Sequence, residues 1–486
     1  MTLPLLAFLA LLSWGFASPV GSSPDDDFHL PSVWCGLGER EGLCEPASDL
    51  LAREVPAAVA GEPCYARDGA RDASCWTSSA ELVETERVNT QNLYPPLFYA
   101  VMSVFASSDV ETSVLLMRGF NAVLFVGLVT ATAALVPASL RRTLVLPFAV
   151  TIVPLGAFVV PSTNPSSWAY LSAGVTWLAL YASTVVAERR RQLALAGMSV
   201  LGAVLGAGAR GDAGIYACLA VFVVAIMSLR RDRKLMIPAL AGVSVVVVGA
   251  GAYLSSSQGG QLSGGFSDGP GGPPLGLWDS VQTVLSVPDL WIGAIGGWGL
   301  GWFDVPLPRV VPVLGWAVLA AVCFLGLGRA TGRSLLAAGV VLAASWGVPA
   351  LMHQQTGVLV GAYVQPRYIL PLLVILVGVL VVTTPRGPVR WTRAQGMTAA
   401  FAVGLGAAVS LHTTIRRFTV GIDTPVWNLD GDPRWWWGVL APTPVTVLVV
   451  GSLASVSALV LADRLARRAE PLPDDLPLPQ PHVPER

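Results

Sequence analysis

Residues 113 to 136 read SVLLMRGFNAVLFVGLVTATAALV, an apolar run carrying one charge, Arg118, and followed closely by the pair Arg141-Arg142. A bilayer core about 30 Å thick needs about 20 apolar residues of helix, so this run is long enough to cross. The arginine pair behind it indicates a side, because basic residues favour cytoplasmic loops.

The same two signals recur along the chain. Further candidate spans lie near residues 3 to 20, 143 to 161, 167 to 187, 192 to 209, 213 to 229, 235 to 254, 309 to 328, 334 to 352, 366 to 384, 396 to 415 and 439 to 462. Basic clusters fall at Arg141 and Arg142, Arg189 to Arg191, Arg230 to Lys234, Arg329 and Arg333, Arg386 to Arg393, and Arg464 to Arg468. All lie on one side when the spans are counted alternately, which predicts a cell-membrane protein with both termini cytoplasmic. The 486 residues are 53% hydrophobic and 13% charged, against about a quarter charged in a soluble domain, so a soluble fold is excluded. No nucleic-acid partner is expected; the surrounding partner is membrane lipid.

The expected architecture is an all-α polytopic membrane protein of about twelve transmembrane helices. Residues 1–20 hold the first helix, read as retained because no basic segment precedes it. Residues 21–112 form an extracytoplasmic acidic loop with an interfacial helix, since the apolar run Pro95 to Ser107 is too short to cross. Helices two to seven occupy 113–254, a Gly- and Trp-rich outside loop 255–308, and helices eight to twelve 309–462 with an outside loop at 416–438. The Pro-rich acidic tail, 463–486, reads as disordered.

Cys35, Cys44, Cys64 and Cys75 all fall in the first outside loop, and an even set in an oxidising compartment suggests two disulfides. Of three connectivities, pairing Cys35 with Cys44 and Cys64 with Cys75 needs least structure. No CxxC-type spacing favours zinc. The outside loops also concentrate tryptophan, at Trp278, Trp291, Trp298, Trp302, Trp427 and Trp435 to Trp437. Such rings anchor chains at the membrane interface or provide platforms for sugars.

Straight after the first helix, Ser23-Pro24-Asp25-Asp26-Asp27-Phe28-His29 gathers three carboxylates and an imidazole. Adjacent like charges raise at least one pKa unless a cation or donors compensate, which suits proton abstraction or metal binding; the bland alternative is a solvated helix cap. Asp25 and Asp26 have the hard oxygens that suit magnesium or manganese, but no obligatory metal or other cofactor is expected.

PDDDFH resembles the P-D-E-x-x-H signature of the bacterial membrane family labelled domain of unknown function 2142, with Asp26 in place of Glu. Further matches follow in order. Tyr94-Pro95-Pro96-Leu97-Phe98-Tyr99 is similar to H-P-P-L-Y-Y, and Asn164-Pro165 to an Asn-rich outside turn. Gly301 to Pro308 (GWFDVPLP) resembles G-W-L-D-T-P-L-P, and Gln365 to Pro371 (QPRYILP) resembles Q-G-R-Y-L-L-P-L. That family in turn looks like the C-type glycosyltransferases. The resemblance implies a hexosyl- or pentosyltransferase moving sugar from a polyprenyl-phosphate donor to an envelope glycan, lipid or protein acceptor.

On that reading Asp25 is the general base, and Asp26 and His29 orient it or contact the acceptor. Arg367 and Arg210 bind the donor phosphate, with Tyr368, Asn164, Trp302 and Asp304 completing the substrate site. The competing readings are interfacial snorkelling for Arg367 and an ion pair with Asp212 for Arg210. At the level of the chain, the rivals are a transporter or flippase for envelope precursors, to which an intramembrane charge such as Arg118 would belong, and a non-catalytic envelope-assembly protein.

Overall fold

The computed structural model describes residues 2–228, 235–257, 275–357, 359–361, 364–384, 387–431, 436–437 and 441–468. Calls on Arg230 to Lys234, on most of the Gly-Ser-Pro stretch after Ser257, on Arg386, Arg434 and Trp435, and on the tail from residue 469 lie outside these.

The apolar runs are helices. They are α1 (Thr2–Phe16), α4 (Val110–Leu135), α5 (Ala138–Thr151), α7 (Ser166–Val185), α8 (Arg189–Ala209), α9 (Gly211–Ser228), α10 (Met236–Ser255), α13 (Val310–Leu327), α14 (Gly332–Thr356), α15 (Leu370–Val381), α16 (Arg393–Val420) and α17 (Pro444–Arg468). Short elements intervene: α2 (Asp26–Trp34), α3 (Leu97–Ser103), α6 (Ala157–Val159), α11 (Leu277–Ser286) and α12 (Pro288–Ile292). Among the described residues nine helices are long and apolar enough to cross a membrane, counting α5 and α6 as one, while α1 and α15 are shorter apolar helices. The chain is a multi-pass membrane protein.

Four spans depart from where the apolar pattern puts them. The run 143 to 161 is broken at Ile152–Gly156, where Val153 takes an extended conformation before Pro154, as the ring of a following proline demands. The run 366 to 384 becomes helical only at Leu370; Pro366–Tyr368 form a separate 3-10 turn. At its other end, α16 continues to Val420, so Arg416 and Arg417 stand on a helix rather than in an outside loop. Its 28 residues make ~42 Å, longer than the hydrocarbon core. Similarly α17 continues to Arg468, beyond the expected edge of the tail at 463.

α15 is the central post. It is apolar on all sides, and a helix of that kind has to be surrounded. It packs against α5, α7, α13 and α14, and nearly every residue is buried. Gly378 admits Trp177 of α7 so closely that an added Cβ would stand 2.5 Å from the indole. The turn that enters this post carries Arg367 and Tyr368.

The segment between α1 and α4 folds into a cap at one end of the bundle. Its core is α2, against which α3 lies with Phe98, Tyr99 and Met102 buried. A three-stranded antiparallel sheet, β1 (Glu45–Pro46), β2 (Arg53–Pro56) and β3 (Leu82–Thr85), covers it, with Glu54 opposite Glu84. The pairing is sequential, Cys35 with Cys44 and Cys64 with Cys75.

Two buried arginines fasten the cap. Arg118 of α4 donates to the carbonyls of Gly15, Ser18 and Pro19 at 2.6–2.7 Å, satisfying groups that the end of α1 leaves without helical partners. A charge that would suit a transport pathway is thus committed to closing a helix. Arg417, lifted out by the length of α16, donates to the carbonyls of Tyr65 and Arg71 and pairs with Asp304 at 2.6 Å. Both members of that pair are almost fully buried. Breaking a buried pair leaves one charge stranded. Arg417→Met should lower unfolding stability in detergent by about 3–5 kcal/mol, and adding Asp304→Asn should recover part of that loss in a double-mutant cycle.

Candidate functional site

The acidic motif is held as a turn against the bundle. Asn164 donates its amide to the Pro24 carbonyl at 2.8 Å, while its own oxygen accepts from the Ser166 N–H. Asp26 accepts from the Ser23 N–H at 3.0 Å and from the Thr163 hydroxyl at 2.9 Å. Pinned on both sides, Asp25 takes a left-handed conformation, φ +61° and ψ +18°, which L residues other than glycine adopt seldom and aspartate more readily than most. It precedes α2 without capping it through its side chain. The carboxylate turns instead to Arg367, 342 residues along the chain.

The three carboxylates therefore diverge. Asp25 pairs with Arg367, Asp26 points to Ser23 and Thr163, and Asp27 accepts from Arg87 at 2.8 Å. Among the described residues no three metal-ligating side chains converge. Exposure separates them further: Asp26 and Asp27 are buried, whereas 31% of the Asp25 side chain is accessible. Burial raises an Asp25 carboxyl, but the Arg367 guanidinium overrides it and leaves Asp25 below its ordinary value. For Asp26 burial wins over the Arg118 charge and the two hydrogen bonds, lifting it to about 7.

Arg367 and Arg210 come together on one aromatic ring. The guanidinium of Arg367 lies 5.1 Å from the centroid of Tyr368 and that of Arg210 lies 4.6 Å from it. Tyr368 is fixed in turn by Tyr216 of α9, whose hydroxyl donates to its carbonyl. Arg367 is buried, so it does not snorkel; it bonds Gln365 and the Tyr368 hydroxyl as well as Asp25. Arg210 follows the last residue of α8 in extended conformation and grips Asp212 bidentately at 2.7 and 2.8 Å, with a third bond to the Ser166 hydroxyl. The ion pair with Asp212 is thus present, and the arginine still joins Arg367 at the same site.

His29 sits beneath this pair on the first turns of α2. Its Nδ1 meets the Tyr99 hydroxyl at 2.9 Å, Tyr94 packs edge-on at 5.2 Å, and Nε2 has no hydrogen-bond partner among the described residues. Burial, reinforced by the Arg367, Arg210 and Arg87 charges, lowers it to about 3, so the ring is neutral.

Trp302 and Asp304 belong elsewhere. Trp302 is buried, donating to the Gly21 carbonyl at 2.9 Å under the Arg67 guanidinium, and Asp304 is taken by Arg417. The described partners of Asp304 are therefore Arg417 and the Trp302 backbone, not Asp25 or Asp26. The other tryptophans divide: Trp278 and Trp427 are exposed, while Trp437 is buried against α1, donating to the Phe16 carbonyl. Tyr94, Tyr99, Thr163 and Arg87 complete the surroundings of the motif without having been singled out. The tyrosines lay within the quoted YPPLFY element; Thr163 and Arg87 carried no local signal.

With this geometry in hand, the chain matches the family model described as predicted membrane protein DUF2142 over residues 8–376. It belongs to that family of multi-pass membrane proteins. The match takes in the second half of α1, the acidic motif and the Gln365–Tyr368 turn, and so both halves of the Asp25–Arg367 pair. No curated protein and no solved structure matches the chain.

The raised Asp26 sets a pH dependence. Its folded value, about 7, exceeds the unfolded 3.8, so its contribution is fully present below pH 3.8 and is lost as pH rises through about 7. Between pH 5 and 7.5 the thermal stability of Asp26→Asn should therefore gain on that of the wild type. Parallel profiles would show that Asp26 is ionised throughout.

Proposed function

We propose that the protein is a C-type glycosyltransferase that takes a sugar from a polyprenyl-phosphate donor and places it on a cell-envelope acceptor outside the membrane. In this reading the nine long helices, the two shorter apolar ones and α7 make twelve crossings. The basic ends face the cytoplasm with both termini, and the disulfide-bearing cap faces out.

The observation that carries the reading is a difference between arginines. Arg118 and Arg417 are enclosed by backbone carbonyls, and Arg417's carboxylate partner is buried with it. Arg367 and Arg210 are equally buried, yet their carboxylate partners Asp25 and Asp212 keep side-chain exposures of 31% and 27%. An anion arriving from outside can compete for these two guanidiniums, whose planar forks suit a phosphate.

The chemistry follows. The donor phosphate takes Arg367 from Asp25 and lies between Arg367 and Arg210. Freed of its cation, the Asp25 carboxylate becomes a stronger base and accepts the proton of an acceptor hydroxyl. The hydroxyl oxygen forms its bond to the anomeric carbon from the face opposite the phosphate. The bond from carbon to phosphate oxygen breaks, its electron pair leaves with the polyprenyl phosphate, and the arginines meet the added charge. The sugar is transferred with inversion.

Protein reconstituted in nanodiscs, supplied with polyprenyl-phosphate-linked hexose and pentose donors, tests this directly. Asp25→Asn should reduce transfer by roughly 10²–10⁴-fold with folding intact. Arg367→Gln should raise the donor KM and lower kcat together. Wild-type turnover by Asp25→Asn would overturn the assignment.

A further inference from the structure

At the opposite end of the bundle the helices part. α16 packs against the break at Ile152–Gly156, and toward the basic end a cleft opens between α5 on one side and α16 and α17 on the other. Its main chamber, about 250 Å³, is lined almost entirely by apolar atoms and runs along α1 from Leu3 to Trp14. From Leu3 to Trp14 the helix rises ~16 Å, a length that suits an extended acyl chain.

A second, smaller chamber adjoins the first and shares Val145, Ala149, Val403, Leu459 and Ala462 as walls. Its mouth is charged and aromatic. Arg142 lies 4.6 Å from the centroid of Trp391, the Trp391 indole donates to Asp463 at 2.9 Å, and Asp463 pairs with Arg467. Gly396 leaves room for that pair; a Cβ there would stand 2.6 Å from the carboxylate and 2.8 Å from the guanidinium. Arg141, Arg390, Arg393 and Arg464 flank these residues in sequence, so the mouth stands among basic residues.

We infer that this cleft is a binding site for an anionic glycerophospholipid, one acyl chain lying along α1 in the apolar chamber and the phosphate resting on Arg142 and Arg467. Shape and polarity select a lipid chain: the chamber is almost wholly apolar and follows α1 from Leu3 to Trp14. Charge selects the headgroup, because a basic pocket between transmembrane helices attracts anionic lipid by about 1 kcal/mol per arginine. The indole of Trp391 holds the Arg142 fork at the mouth, and Asp463 holds that of Arg467. This site is independent of the sugar-transfer reading, and its charged mouth lies at the end of the bundle away from the cap.

Delipidated wild-type protein in neutral detergent should gain thermal stability from dioleoylphosphatidylglycerol and not from dioleoylphosphatidylcholine, and native mass spectrometry should find the anionic lipid retained. Arg142→Gln should weaken retention about fivefold and Arg142→Gln with Arg467→Gln about 25-fold, while Arg142→Lys keeps most of it. Ala149→Phe, which fills the shared wall without touching the charges, should lower affinity for the phospholipid. Equal stabilisation by the two lipids, the same effect from inorganic phosphate alone, or retention unchanged in the charge and cavity variants would each overturn the proposal.

Discussion

A guanidinium withdrawn from water has to direct its N–H groups at oxygen, and the buried arginines at the capped end of this bundle determine how it is built. Arg118 closes the C-terminal end of α1 and fixes the direction in which the chain leaves it. Arg417 fastens the disulfide-bearing part of the cap to α16 through two carbonyls and a buried carboxylate. Between these anchors the acidic motif has little freedom, and Asp25 is forced into its left-handed turn with its carboxylate facing Arg367. Removing either anchor would release the turn before it altered any residue of the site itself.

Position on α15 explains the other side of the pair. A short helix surrounded on every face can neither tilt nor slide without emptying its neighbours' contacts, so the turn that begins it is a fixed platform. Pro366 sets the backbone of that turn, and Tyr216 holds the Tyr368 carbonyl. The two arginines share the Tyr368 ring, which keeps two like charges close together at the cost of strong mutual repulsion. Asp25 and Asp212, each paired with one of them, offset that repulsion.

Much of this was legible in the sequence because the membrane imposes length and polarity rules on each segment separately. A run such as 113 to 136 declares itself without its neighbours, as does a cysteine placed in an outside loop. That Asp25, Arg210 and Arg367 need charged partners was legible too, since charge beside a span is expensive enough to need a reason. What the pattern cannot carry is pairing over distance. Arg417 meets Asp304 across 113 positions and Arg87 meets Asp27 across 60, and no local period marks either. Asp304 was expected to join Asp25 and Asp26 from the loop that carries the GWFDVPLP element, yet it pairs with Arg417. The small sheet escaped notice for a simpler reason: strands of two to four residues leave almost no alternation to read.

His29 shows how the same burial that shapes the fold limits its chemistry. For an imidazole between two tyrosines, burial and the Arg367, Arg210 and Arg87 charges outweigh the opposing Asp25 carboxylate and shift the ring down to about 3, which favours its neutral form. Its Nδ1 is engaged by Tyr99, and its Nε2 has no hydrogen-bond partner among the described residues. Such a ring acts as a spacer of fixed shape, setting α2 against α3. Within the motif, Asp25 is the carboxylate that combines side-chain exposure with an arginine partner.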